Sequence, residues 1–177
     1  MEALEHATRR RVYELVRAQP GVHLREVARQ LGLSITLVDY HLRFLAKHEL
    51  VSFASDGEYK RCYPRYQPGD AEAKPALDDM DKRLLAALRQ RVPRAVMLRL
   101  LEVGEAAHKD LLPAAGVSPS TLSHHLKKLV AGGVVTATGH GYRVTEPRRA
   151  AKLSVLYDIA TPDQLDTFLR VWGEFRM

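Results

Sequence analysis

Apolar residues fall into short runs whose period changes at Gly, Pro and Ser. Leu4, Ala7, Val12, Leu15 and Val16 predict a first helix over 3–18, stopped by Gln19-Pro20-Gly21. Leu24, Val27, Ala28 and Leu31 predict a second. Val38, Leu42 and Leu45 recur every three or four residues and predict a third with one buried stripe. The period then drops to two. Leu50-Val51-Ser52-Phe53 and Tyr59-Lys60-Arg61-Cys62-Tyr63 flank Ser55-Asp56-Gly57-Glu58 and predict a hairpin, with Tyr59 and Tyr63 assigned to sheet packing. Pro64, Pro68, Gly69 and Pro75 break the pattern, so 64–76 reads as a linker. Leu77, Met80, Leu84, Leu85 and Leu88 then predict an amphipathic connector over 78–90, packed between units or against a second chain.

The pattern starts again at Pro93, which suits a first helical position. Val96, Met97, Leu100 and Leu101 mark one helix, Leu111 and Leu112 the next, and Leu122, Leu126 and Leu129 the stripe of a third. Gly32-Leu33-Ser34 before the earlier stripe and Gly116-Val117-Ser118 before the later one lie 84 residues apart, and the register holds through Leu50-Val51 and Val134-Val135. Each copy is the second half of a helix-turn-helix. The glycine takes the left-handed conformation after one helix, and Ser34 or Ser118 caps the next. A second hairpin, 134–138 with 142–145 around Gly139-His140-Gly141, is expected to be one residue shorter than the first. Beyond Pro147, Arg148–Asp158 predicts a helix. Thr161-Pro162-Asp163-Gln164 then opens another, whose stripe of Leu165, Phe168, Leu169, Trp172 and Phe175 needs a partner in this chain or in the same helix of a second.

The runs Val38-Asp39-Tyr40-His41-Leu42-Arg43-Phe44-Leu45 and Ser123-His124-His125-Leu126-Lys127-Lys128-Leu129, each followed by a short loop and a Leu-Val or Val-Val strand start, resemble the recognition helices of winged helix-turn-helix transcription regulators of the ArsR/MarR type. The tandem arrangement, with helices after the second copy, is most similar to the two-winged-helix regulators common in archaea. The resemblance covers residues 5–66 and 92–147. It implies a mainly α fold with small β-hairpin wings (α+β). The expected division is 1–66 for the first winged helix-turn-helix, 67–91 for linker and connector, 92–147 for the second, and 148–177 for C-terminal helices that pack or dimerise.

Charge supports a polyanionic partner. The formal net charge is +6 and the pI near 9.6, and Lys or Arg that neutralise phosphates release condensed counterions. Residues 1–66 hold 11 Lys and Arg against 8 Asp and Glu, and residues 93–146 hold 6 against 4, so neither repeat is obviously the non-binding one. On the regulator reading, Ser34, Thr36, Tyr40 and Arg43 of the first copy and Ser120, Ser123, His124 and Lys127 of the second contact double-stranded DNA, while Lys60, Arg61 and Arg143 anchor the wings. Asp39 would repel phosphate but can accept from a cytosine amino group, whereas 118–129 carries no acid; the two helices should prefer different sequences. Arg9-Arg10-Arg11 is either a phosphate contact or a solvated helix face. His41 and His125, at equivalent positions, read as partly buried with a satisfied nitrogen rather than as metal ligands.

Other classes find little support. There is no Gly-rich phosphate loop, nucleophile elbow or defensible carboxylate pair, so an enzyme is not expected. No cofactor or metal is expected: Cys62 is the single cysteine, and no His/Asp/Glu cluster has ligand spacing. No apolar run approaches the roughly 20 residues of a membrane span, and Met1-Glu2-Ala3-Leu4-Glu5-His6 begins acidic and lacks the apolar core of a signal peptide, so a cytoplasmic protein is expected; the C-terminal stripe favours a homodimer through the terminal or connector helices. The other surviving reading is a protein-docking scaffold built on tandem winged helices, of the chromosome-segregation or transcription-initiation type. No residue specifies a small-molecule effector.

Overall fold

The computed structural model describes residues 2–57 and 59–173, which divide into two compact units after Asp78. In the first, a short 3₁₀ turn at Glu2–Leu4 leads to α1 (Ala7–Ala18), β1 (Val22–His23), α2 (Leu24–Leu31), α3 (Ile35–Lys47), β2 (Val51–Asp56) and β3 (Tyr59–Pro64). The strands form an antiparallel sheet in the order β1-β3-β2, with Val22 opposite Cys62 and Val51 opposite Pro64. The three helices and the sheet enclose Val12, Val16, Val27, Val38, Leu42, Leu45, Val51 and Cys62, all essentially without solvent exposure. The stripes expected from the sequence thus face one core.

The linker residues lie along this unit. Arg17 on α1 ion-pairs with Asp70 (3.2 Å) and Glu72 (3.4 Å), and its guanidinium lies over the rings of Tyr13 and Tyr66. The arginine triplet divides by face. Arg9 is buried over the Phe44 ring, 3.5 Å from its centroid, and donates to the Ala3 carbonyl; Arg10 and Arg11 are exposed.

The second unit comprises α4 (Asp79–Leu88), α5 (Arg91–Val103), α6 (His108–Ala115), α7 (Pro119–Ala131), β4 (Val135–Ala137), β5 (Tyr142–Val144), α8 (Pro147–Leu156) and α9 (Pro162–Trp172). The connector α4 belongs here: Leu84, Leu85 and Leu88 are buried where it packs on α5 and α8, and Asp81 receives the Arg149 guanidinium at 2.6 Å. Helix α9 carries the expected capping box between Thr161 and Gln164. Its apolar stripe is partly occupied within the unit, since Phe168 is buried and Trp172 Nε1 donates to the Leu101 carbonyl at 2.7 Å. Phe175 and Glu58 fall outside the described residues.

The duplication extends further back than its sequence signature. Helices α2 and α6, and likewise α3 and α7, have the same bounds displaced by 84 residues. Val22, whose strand pairs with β3, has its counterpart in Ala106, which bridges to Tyr142 on β5. The first hairpin therefore gains a short third strand and the second a single bridge at the equivalent position, neither of which the hydrophobic pattern revealed. The second hairpin is shorter by four residues rather than one, because Val51 pairs with Pro64 but Val135 with Val144.

Candidate nucleic-acid interface

In both units the turn that presents the third helix is built alike. Gly32 (φ 65°, ψ 34°) and Gly116 (φ 61°, ψ 37°) hold the left-handed conformation that ends the preceding helix. Ser34 Oγ then accepts from the Leu37 amide at 3.2 Å, and Ser118 Oγ from the Thr121 amide at 3.3 Å. These caps satisfy amides that the first turn of a helix would otherwise leave open. Ser34 thus has a structural duty as well as an exposed position.

With Val38, Leu42 and Leu45 buried, the helical repeat of 3.6 residues turns Thr36, Tyr40, Arg43 and Lys47 of α3 outward along one line. The same line on α7 carries Ser120, His124 and Lys127, all exposed. Ser123 is half-buried and already engaged, its hydroxyl donating to the Pro119 carbonyl (2.9 Å) and lying 3.0 Å from His108 Nε2. Arg43 Nε meets the carboxylate of Asp39, one turn earlier, at 2.6 Å. Ser123 stands where that carboxylate would be in the second unit, so Lys127 faces no such acid.

The wings differ. Lys60 is exposed on β3, its Nζ 3.7 Å from the centroid of the Phe53 ring, and Arg143 is exposed on β5 opposite Thr136. Arg61 is not a wing contact. Only 2 % exposed, it donates from Nη1 to the Gly21 carbonyl (2.9 Å) and from Nε to Asp56 (2.7 Å), tying β3 to the start of β1 and to the hairpin end. Successive strand residues face opposite ways, so Arg61 lies on the face opposite the core residue Cys62 and is buried by its bonds to Gly21 and Asp56, while Lys60, on the Cys62 face, is exposed nearer the hairpin end. Of the two tyrosines, Tyr63 is buried, whereas Tyr59 is exposed beside the His23 ring.

His41 is buried as expected, but neither ring nitrogen has a hydrogen-bond partner among the described residues. It lies on the buried side of α3 with the His6 and Tyr40 rings about it, and burial, with His6 and Arg9 adding repulsion, holds its pKa below the usual histidine value. His125 shifts the same way, through burial first and then His124, Lys128 and Arg91. Among the described residues no group of three or more His, Cys, Asp or Glu side chains is placed to hold a metal ion. Nor is any described helix long and apolar enough to cross a membrane.

Two helix-turn-helix units at constant offset, each followed by a hairpin, define a tandem winged helix-turn-helix protein. Residues 6–76 match a family model described as an N-terminal HTH domain, and residues 93–137 match that of bacterial regulatory proteins of the arsR family. The chain is 27 % identical over 146 residues to an uncharacterized HTH-type transcriptional regulator of Methanocaldococcus jannaschii, covering 81 % of this chain and 34 % of that protein. It is also similar, at 24 % identity, to a Corynebacterium diphtheriae protein of solved structure, covering 81 % of this chain and 27 % of that one; the TM-score of 0.29 is too low to speak for a shared overall architecture. The chain therefore spans about a third of the length of these proteins. The two domain matches place a helix-turn-helix domain in each half of the chain.

Proposed function

We propose that this chain is a sequence-specific transcription regulator that reads double-stranded DNA with both α3 and α7. The carrying observation is the repeated outward line: Thr36, Tyr40 and Arg43 on one helix, Ser120, His124 and Lys127 at the same positions on the other. The major groove admits an α-helix, and the N-terminal residues of a recognition helix meet base edges there. On this reading the hydroxyl, phenol and imidazole groups take base edges, while Lys127 serves guanine or flanking phosphate and Arg43 flanking phosphate. Lys60 and Arg143 bring the wings to the phosphate backbone, where contacts fix register rather than sequence. The chain acts in the cytoplasm as a homodimer, for which the exposed Leu169 and Val171 of α9 supply an apolar edge.

Charge reversal tests the reading. Arg43→Glu and Lys127→Glu alter exposed side chains outside both cores, so folding survives, and each is expected to lower duplex affinity at least tenfold at moderate salt. Affinity unchanged in both variants would overturn the reading and favour protein docking on the same helices.

A further inference from the structure

We infer that the first unit reads thymine 5-methyl groups, whereas the second reads polar base edges and is indifferent to them. This rests on the DNA-reading function proposed above and names the chemistry of one half of the site. The two outward faces are built on the same frame but offer different chemistry. Around Thr36 at the start of α3, Ile35 is 49 % exposed, Leu37 39 % and Tyr40 58 %, an unusual amount of free carbon for so short a stretch. The equivalent positions on α7 hold Pro119, Thr121 and His124, with Ser118, Ser120 and Thr121 joined by hydroxyl contacts of 2.8–3.1 Å.

The cations differ in the same sense. Arg43, the first Arg or Lys along α3, is tethered to Asp39 at 2.6 Å, so part of its donor fork is occupied before any base arrives. Its counterpart Lys127 has no acid one turn earlier. A helix start with exposed Ile and Leu and a restrained arginine is poorly equipped for guanine, which wants a bidentate cation at O6 and N7. It suits the thymine methyl, the one apolar group on the major-groove floor. Ile35, Thr36 and Tyr40 fall on the first two turns of α3, where base contacts fall. Being exposed, Ile35 and Tyr40 have no core role that would account for them.

The test uses the full-length protein and the duplex that selection from a random pool returns. Thymines in the half bound by the first unit are replaced by deoxyuridine, which lacks only the 5-methyl, and separately those in the half bound by the second unit. The expected result is a loss of affinity of about fourfold per contacted methyl in the first case and none in the second. Ile35→Ser and Tyr40→Gln should lower affinity for the thymine duplex and abolish the thymine-to-uracil difference. Because the deoxyuridine arm uses unaltered protein, misfolding of a variant cannot mimic it. Equal affinity for both duplexes overturns the inference while leaving the DNA-reading function standing. If Ile35→Ser also leaves DNA affinity unchanged, the patch does not face DNA and belongs to a protein partner. Absence of any selected sequence overturns both.

Discussion

Replacing Arg61 by Met separates a strut from a DNA contact, because the aliphatic stem is kept and only the guanidinium is lost. In the native unit that group is buried and bonds the Gly21 carbonyl and Asp56. A buried hydrogen bond from a charged donor contributes about 1.5–3 kcal/mol. The pair with Asp56, whose side chain is 40 % exposed, adds little, at most about 1 kcal/mol after solvent screening. A net loss of about 2 kcal/mol in a unit of this size lowers the melting temperature by roughly 8–16 °C. Lys60→Met is the control: Lys60 is exposed, and losing its contact with the Phe53 ring costs about 0.5–1 kcal/mol. Thermal unfolding by circular dichroism and the salt dependence of duplex binding are read on both variants. Arg61→Met should melt early with the wild-type salt slope, and Lys60→Met should melt near wild type with the slope reduced by about one. The reasoning is refuted if Arg61→Met melts like wild type and reduces the slope.

Three further outcomes follow from side chains with defined surroundings. A Cβ at Gly141 would stand 2.2 Å from the Ala106 carbonyl oxygen, whereas one at Gly139 would meet nothing within 4 Å; Gly141→Ala should therefore cost about 2–4 kcal/mol and Gly139→Ala almost nothing, and similar melting curves for the two would count against the Ala106–Tyr142 bridge. Burial lowers the pKa of His41 in the folded state, so the unfolded chain takes up its proton first as pH falls through about 6.5. The stabilisation present above that value is lost on acidification. The melting temperature should accordingly drop between pH 7.5 and 5.5, and less steeply in His41→Leu; an identical drop would assign the effect to other histidines. Burial pushes the Cys62 thiol up to about 12, so a thiol reagent should label it only as fast as the first unit opens, and immediate stoichiometric labelling would contradict its place in the core.

The parts of the fold legible in the sequence are those made by neighbours along the chain. Gly32 and Gly116, the Ser34 and Ser118 caps, the Val38-Leu42-Leu45 stripe and the Thr161–Gln164 box are local devices, each set by a few adjacent residues. The short outer strand was not legible, since Val22-His23 is too brief to show a period and is defined by a partner 40 residues later at Cys62. The 84-residue offset from Val22 to Ala106 was the one available signal, and it lies before the stretch where the two copies visibly agree. Arg61 was misplaced because charge suggested an exposed side chain, while the group that covers it, the Gly21 carbonyl, lies 40 residues earlier in the chain and is brought there only by the pairing of β1 with β3. The differing chemistry of the two outward faces was visible as residue types, but the exposure of Ile35 and Leu37 and the Asp39 tether depend on the folded helix.

The central claim is best tested by fluorescence anisotropy of the intact protein with a random duplex pool at two salt concentrations, followed by selection and sequencing of the bound duplexes. The contacts proposed for Arg43, Lys60, Lys127 and Arg143 predict that affinity falls steeply as salt rises, and the two unlike helix faces predict an enriched motif with two dissimilar parts, repeated as a palindrome if the protein binds as a dimer. Undetectable binding at low salt, or salt-sensitive binding with no enriched sequence, would contradict it.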